Sequence, residues 1–418
     1  MLLSDLPPLE DILDTIECDE FSEEDELELY NSILQLIDEY MIENPTEITE
    51  PDFEEILLEE LYDLLESTID QTVFYELEEM IEYAIEQYFL TVCPPRSHPD
   101  TFIQYEPNIP QIQSQIDYLK TKPQPVQRTA EWYQFRRNLI TASNAYKAFE
   151  SQSSQNQLIY EKCKKEEEPI QVSDAPKQIN TTTTLHWGQK YEPVSVALYE
   201  YMYHTKVGDF GCIQHERYPF LGASPDGINV MSESPRFGRM LEIKNIVNRE
   251  IDGIPKKEYW IQMQLQMETC DLDECDFLET QFKEYESYND FITDTVAEYK
   301  GIVMQYTTEE GLLKYIYSPI GLSTDELEEW QTVVLFSNPW EWICNHYWKI
   351  EKWSCVLVER NRRWFESNIN KLSELWDTVL LERHTGFEHR APNKKQIVVL
   401  EKHECLFVMN ENGKIFNS

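Results

Sequence analysis

The sequence predicts an α/β or α+β protein, a mixed sheet flanked by helices, preceded by an acidic segment that is helical throughout. Two patterns carry this expectation. From about Ser22 to Leu90 the apolar residues recur at helical spacing. Between about Tyr203 and Leu241, short β-type stretches such as GCIQHERYPFLGA, running into RMLEIKNIV, alternate with turn signals and are bracketed by helical stretches. At 418 residues, 41% hydrophobic and 12% aromatic, the chain can bury a substantial core.

In the first segment Leu27, Tyr30, Ile33, Leu34, Ile37 and Met41 form one stripe. Phe53, Leu57, Leu61 and Leu64 form a second, and Leu77, Met80, Ile81, Ala84 and Tyr88 a third. Ser22 with Asp25 reads as a capping box, and Asn44-Pro45 and Glu50-Pro51 separate the helices. Residues 91–127 are rich in proline and polar residues and read as a linker. Residues 151–184, with SQSSQNQ, KKEEEP and a TTTT run, read as a long loop or insertion. These signals divide the chain into an acidic helical segment 1–95, a linker 96–126, a catalytic domain 127–385 and a tail 386–418.

The formal charge of −43 argues against a nucleic-acid partner only until it is located. Residues 1–100 hold 31 Asp and Glu against one basic residue, Arg96. The rest, 34 Lys and Arg against 47 Asp and Glu, is mildly acidic and can carry a local basic cleft. The acidic segment is either a solvated scaffold or a DNA mimic that guards such a cleft. Nine cysteines without a C-x-x-C pair suit a reducing compartment. With no run near 18 apolar residues and no basic start, the expectation is a soluble, intracellular protein with no membrane partner.

The chemistry concentrates in ASPDGINVMSESPRFGRMLEIKN, residues 223–245. Asp226 and Glu242 are separated by 15 residues, enough for two strands and a turn to bring them together. Glu242 and Lys244 sit at i and i+2 on one strand and leave the same face, while Ile243 faces apolar packing. Two carboxylates suit Mg²⁺, with Mn²⁺ as a substitute. Such a site polarises a phosphodiester beside an ammonium. Alone, this spacing is also what solvated strand ends produce in an acidic protein.

Four segments in order resemble the YqaJ-like viral recombinases, relatives of phage lambda exonuclease in the PD-(D/E)XK superfamily. They are EWYQFRRNLITASNAYKAF (131–149), LHWGQKYEPVSVALYEY (185–201), GCIQHERYPFLGASPDGI (211–228), and LEIKN with IPKKEYWIQMQLQMETCDLDECDFLET (241–280). The resemblance implies a restriction-endonuclease-like core and a Mg²⁺-dependent 5′→3′ exonuclease acting on double-stranded DNA ends, in viral recombination, repair or replication. It implies Asp226, Glu242, Lys244 and Gln262 as catalytic residues, and Glu192, Asp226, Glu242 and the Ile243 carbonyl as metal ligands. Arg136 and Ser143 match residues that take the 5′-terminal phosphate, a role suited to a guanidinium and to a hydroxyl near a helix start.

A single-strand annealing protein and a homo-oligomer are the other partners expected, with the host cytoplasm or nucleus as the site of action. The alternatives are a catalytically silent DNA-binding or assembly protein of the same fold, a structure-specific endonuclease, and an RNase. Pro193, directly after Glu192, predicts a helix start or a kink. Tyr259 and Gln266 share the helical face of Gln262.

Cys212 with His215, and Cys270 with Cys275, lack the spacing of a zinc site and read as packing. The chain has no G-x-x-x-x-G-K-[ST] loop for a motor. From Trp330 to Trp376 lie seven of the ten tryptophans, with Arg360, Arg362 and Arg363. They read as core flanking a helix from Arg363 to Glu382, or as a base-stacking and phosphate-binding surface.

Overall fold

The computed structural model describes residues 23–66, 74–99, 106–126, 129–164 and 183–392. Ser22, residues 165–182 of the expected insertion, and the QIVVLEKHECLFVMNENG stretch of the tail lie outside them. The three apolar stripes become helices α1 (Glu23–Glu43), α2 (Phe53–Glu66) and α3 (Phe74–Thr91). Ile33, Ile37, Leu57, Leu61, Leu77, Ile81 and Ala84 are buried between them. At the end of the second stripe Leu65, not Leu64, turns inward.

The segment read as a linker carries more structure than its composition suggests. It forms β1 (His98–Pro99) and helix α4 (Ile109–Thr121), which Asn108 caps and Pro110 opens. Ile116 and Leu119 bury one side of α4, while its other positions are polar enough to have masked the helix. The expected loop at 151–184 likewise begins as a helix. After α5 (Ala130–Arg137), β2 (Ile140–Thr141) and α6 (Ala142–Ala145), the serine- and glutamine-rich run forms α7 (Gln152–Cys163), anchored by Leu158, Ile159 and Cys163.

Helix α8 (Thr184–Tyr203) runs through Pro193, so the helix does not start there and the proline sits inside it. Strands β3 (Val207–Gly208), β4 (Ile213–Gln214), β5 (Leu221–Ala223), β6 (Gly227–Asn229) and β7 (Met240–Asn245) follow. Next come α9 (Lys257–Cys270), β8 (Glu274–Glu284), α10 (Tyr288–Thr293), β9 (Lys300–Thr307), β10 (Leu313–Tyr317), α11 (Thr324–Ser337), β11 (Glu341–Glu359) and α12 (Arg362–Thr385).

The large sheet has the order β10-β9-β11-β8-β7-β6-β3, with β1 added along the end of β11. It is mixed: β7 and β8 are parallel, and the other pairs antiparallel. A small sheet, β2-β5-β4, lies beside it, with β2 parallel to β5. Leu241 and Ile243 of β7 pack with Tyr199 of α8, while the intervening residues project toward α9 on the opposite face. The α/β class and the mixed sheet flanked by helices are as the sequence predicts.

The acidic helices share one hydrophobic core with the rest: Ile37, Phe53 and Tyr88 belong to the same buried cluster as Phe149, Trp260 and Trp364. Arg96 fixes this contact. Its guanidinium, 4% exposed, donates to the carbonyls of Ile48, Thr49 and Pro255, and its own carbonyl accepts from the Trp260 indole. The C-terminal arginines are likewise held by carboxylates: Arg360 by Glu268 and Asp271, Arg362 by Asp273, Arg363 by Asp38. Trp348, Trp364 and Trp376 are buried as core, while Trp340 and Trp342 are exposed.

Candidate metal and phosphodiester site

The β6–β7 hairpin brings the two ends of the ASPDG…LEIKN stretch together. Gly227 pairs with Leu241, and the Asp226 amide donates to the Leu241 carbonyl at 3.1 Å. Asp226 Oδ2 then accepts from the Ile243 amide at 2.7 Å, so the aspartate bridges onto the strand that carries Glu242. Gly227 is required here because a Cβ would stand 2.1 Å from Val207 of β3.

Glu242 is 1% exposed and held by three donors. Oε1 accepts from the Lys244 amine and, at 2.7 Å, from Gln262 Nε2; Oε2 accepts from Gln266 Nε2 at 2.7 Å. The two glutamines lie one turn apart on α9 and grip the two carboxylate oxygens separately. Gln266 also reaches the Ser224 carbonyl at 3.4 Å, tying the loop before Asp226 to the same carboxylate. Lys244 lies 4.7 Å from the centre of the Tyr259 ring, a cation–π contact that orients it.

Burial, then the charge of Glu242, lift the Asp226 carboxyl well above the ordinary aspartate value, and Glu192 adds to this while Lys244 opposes it. Burial presses the Lys244 amine down, but Glu242 and Asp226 outweigh it and hold the amine above the ordinary lysine value. One ammonium therefore does not neutralise the carboxylates around it.

Among the described residues, no three His, Cys, Asp or Glu side chains converge tightly enough to hold a metal by themselves. The chemistry of the donors nonetheless fits a hard divalent cation. Asp226 and Glu242 are oxygen donors in a site short of positive charge, and Glu242 accepts three bonds where a carboxylate offers about four positions.

The structure brings Asp226, Glu242, Ile243, Lys244 and Gln262 into one cluster. Glu192 lies on the exposed side of α8 and acts on Asp226 through space. Arg136, at the end of α5, lies over the Trp132 ring at 4.5 Å, and Ser143 is exposed on α6. They reach the cluster through the small sheet. Thr141 pairs with Gly222 in parallel strands, so Ser143 and Ser224 each follow two residues later at the same end.

Burial pushes the Cys212 thiol pKa up, while Arg136 and Lys162 lie close enough for their charges to oppose that shift. Gln266 and Ser224 are the partners that sequence reasoning left without a role. The i+4 spacing from Gln262 was the only signal for the first, and the second had none.

A mixed sheet flanked by helices, with its carboxylates and lysine on one strand-and-hairpin edge clamped by α9, defines the class as an α/β protein. Residues 131–273 match the YqaJ-like viral recombinase domain. An uncharacterized protein of Acanthamoeba polyphaga mimivirus is 28% identical over 332 residues, covering 69% of this chain. This chain spans 58% of that relative's length.

Crystal structures of an alkaline exonuclease from Laribacter hongkongensis cover 62% of this chain and 95% of theirs. One is 19% identical with a TM-score of 0.36, and the other, a complex with dAMP, is 18% identical with a TM-score of 0.35. At these scores the likeness is too loose to relate individual residues.

Proposed function

We propose that the protein is a divalent-metal-dependent deoxyribonuclease that degrades double-stranded DNA from 5′ ends, serving recombination, repair or replication of a large DNA virus. The observation that carries this reading is the clamped cluster: Asp226 and Glu242 share one edge with Lys244, and the charge balance there calls for a cation. The YqaJ-like domain over the same residues supports it.

Asp226, Glu242 and the Ile243 carbonyl would hold Mg²⁺, or Mn²⁺ in its place, and Glu192 would have to move in from the exposed side of α8 to complete the shell. When bound, the ion supplies a water acidified toward neutral pH and polarisation of the scissile phosphate. Lys244 stays protonated and offers its ammonium to the nonbridging phosphate oxygens, where charge builds as the new bond forms. Gln262 and Gln266 fix the orientation of Glu242, and Tyr259 holds Lys244 over the reacting atoms. Arg136, a fork-shaped donor, and Ser143 take the 5′-terminal phosphate beside the small sheet and so set the polarity.

Linear DNA ends are the substrate in this reading, with a single-strand annealing protein and further copies of the chain as partners. Among the described residues no helix is long and apolar enough to cross a membrane.

The test is a time course on duplexes labelled at one 5′ or 3′ end, with and without Mg²⁺, alongside linear single-stranded, circular and RNA substrates. Release of label from 5′ ends of linear duplex only, dependent on Mg²⁺, is the expected result. Equal attack on circular DNA or RNA, or full activity in EDTA, would overturn it.

A further inference from the structure

Four cations crowd the junction of α5, α7 and α12. Arg136 and Arg137 end α5, Lys162 lies in the last turn of α7, and Arg383 in that of α12. In so acidic a chain their surroundings are unusual, because among the described residues none of the four forms an ion pair. The neighbouring carboxylates are directed elsewhere, Glu161 to Lys147 at 3.1 Å and Glu382 to Arg390 at 2.6 Å.

Lys162, Arg137 and Arg383 donate to main-chain carbonyls instead, and Arg383 also to the Asn138 side-chain oxygen at 3.1 Å. Lys162 Nζ donates to the Arg136 carbonyl at 3.0 Å, Arg137 to that of Cys163 at 3.2 Å, and Arg383 to those of Lys162 at 2.8 Å and Arg137 at 2.7 Å.

Helix capping accounts for part of this arrangement. The C-termini of α5, α7 and α12 meet here, and each carries about half a negative charge. Three half charges do not balance four whole ones, which leaves an excess of about two to three positive charges at one junction. Lys162 bears the consequence. It is 6% exposed, and burial, followed by the charge of Arg136, pushes its amine down to about 8. A buried cation held this way is costly unless an anion joins it. The buried Cys212 thiol feels the charges of both Arg136 and Lys162.

We propose that Lys162 joins Arg136 as a seat for a phosphate dianion and makes the pocket select a terminal phosphomonoester over an internal diester. This rests on the reading of Arg136 as a 5′-phosphate ligand. A terminal monoester carries close to two negative charges above its second pKa near 6, and the excess of positive charge favours it over a singly charged diester. The groups that act on the Lys162 amine are Arg136, Glu161, Cys212 and Arg383. An arriving dianion outweighs the two arginines and returns the proton that Lys162 has partly lost near pH 8.

Two measurements on the full chain test this. In the first, kcat/KM on 5′-phosphorylated and 5′-hydroxyl duplexes is compared for the parent, Lys162→Met, Lys162→Arg and Arg136→Ala. Lys162→Met should cut the phosphate preference at least tenfold, and Lys162→Arg should keep most of it. If Lys162→Met keeps the parent preference while Arg136→Ala loses it, the role of Lys162 is refuted and that of Arg136 stands. If neither changes it, the 5′-phosphate reading fails as well.

In the second, calorimetry of parent protein binding 5′-phosphorylated duplex at pH 8, with Ca²⁺ in place of Mg²⁺, uses buffers of different ionisation enthalpy. Proton uptake should accompany the phosphorylated duplex and not the hydroxyl one. Binding without that difference would overturn the proposal even if Lys162→Met does not fold.

Discussion

At the scale of single residues, the site is a problem of charge held in place. Glu242 is buried, and three donors make that burial tolerable. Replacing it by Gln keeps the shape but removes the charge that both Lys244 and a cation require. The expected outcome is loss of cleavage by at least about a thousandfold, with a melting temperature within a few degrees of the parent. Lys244→Met should behave alike, and parent-like cleavage by either variant would remove the site assignment.

Gln266→Leu is a finer test, because Gln266 acts only through Glu242 and the Ser224 carbonyl. Its loss frees one carboxylate oxygen to rotate. The Mg²⁺ concentration for half-maximal rate should rise about 10- to 100-fold, the usual range for such supporting bonds. An unchanged Mg²⁺ requirement would show that Gln262 and Lys244 suffice.

At the scale of elements, helix α8 and the far half of β8 are joined by a second buried charge cluster. Glu284 of β8 accepts from Lys190, Tyr191 and His346. Burial alone would raise its pKa, but these hydrogen bonds outweigh burial and bring it down to about 2. Because the folded-state value is depressed, the stability Glu284 contributes is present above its unfolded value near 4.3 and lost as pH falls toward 2. The gap corresponds to roughly 3 kcal/mol at neutral pH before solvent screening reduces it. Glu284→Gln should therefore be less stable than the parent at pH 7, and the two urea denaturation curves should converge between pH 4.5 and 2. A constant difference over that range would show packing, not charge, at work.

Periodicity found α1 to α3 and the alternation of β7, since one buried face repeats every 3.6 or 2 residues. It missed α4 and α7. There Ile116 and Leu119, or Leu158, Ile159 and Cys163, are the only buried apolar positions in runs whose proline, serine and glutamine content resembles a loop.

At the scale of the whole molecule, the acidic helices are part of the body they were expected to flank. Their apolar faces join the common core, and Arg96, Lys257 and Arg363 tie them to it through Ile48, Glu50 and Asp38. This favours the scaffold reading over a detachable DNA mimic. Arg96→Ala leaves three buried carbonyls without their donor, and the expected loss is about 3 kcal/mol. Urea denaturation measures it, and a change under 1 kcal/mol would point to a loosely attached segment. Removing residues 1–95 should expose Trp364 and Phe149 and yield aggregating protein rather than a soluble one with higher affinity for DNA. A soluble, monomeric product with raised affinity at low salt would restore the mimic.

The sequence by itself determined the class of fold, the helical nature of the acidic segment and the candidate residues Asp226, Glu242 and Lys244, because strand alternation and motif spacing are local; Gln262 was a candidate only through the family resemblance. Only the tertiary structure decided which donors clamp Glu242, that Arg96 welds the acidic helices to the core, and that Lys162 lies beside Arg136. Those relations join residues from 20 to 159 positions apart. Such distances are closed by the packing of whole elements, which short-range patterns in a chain do not encode.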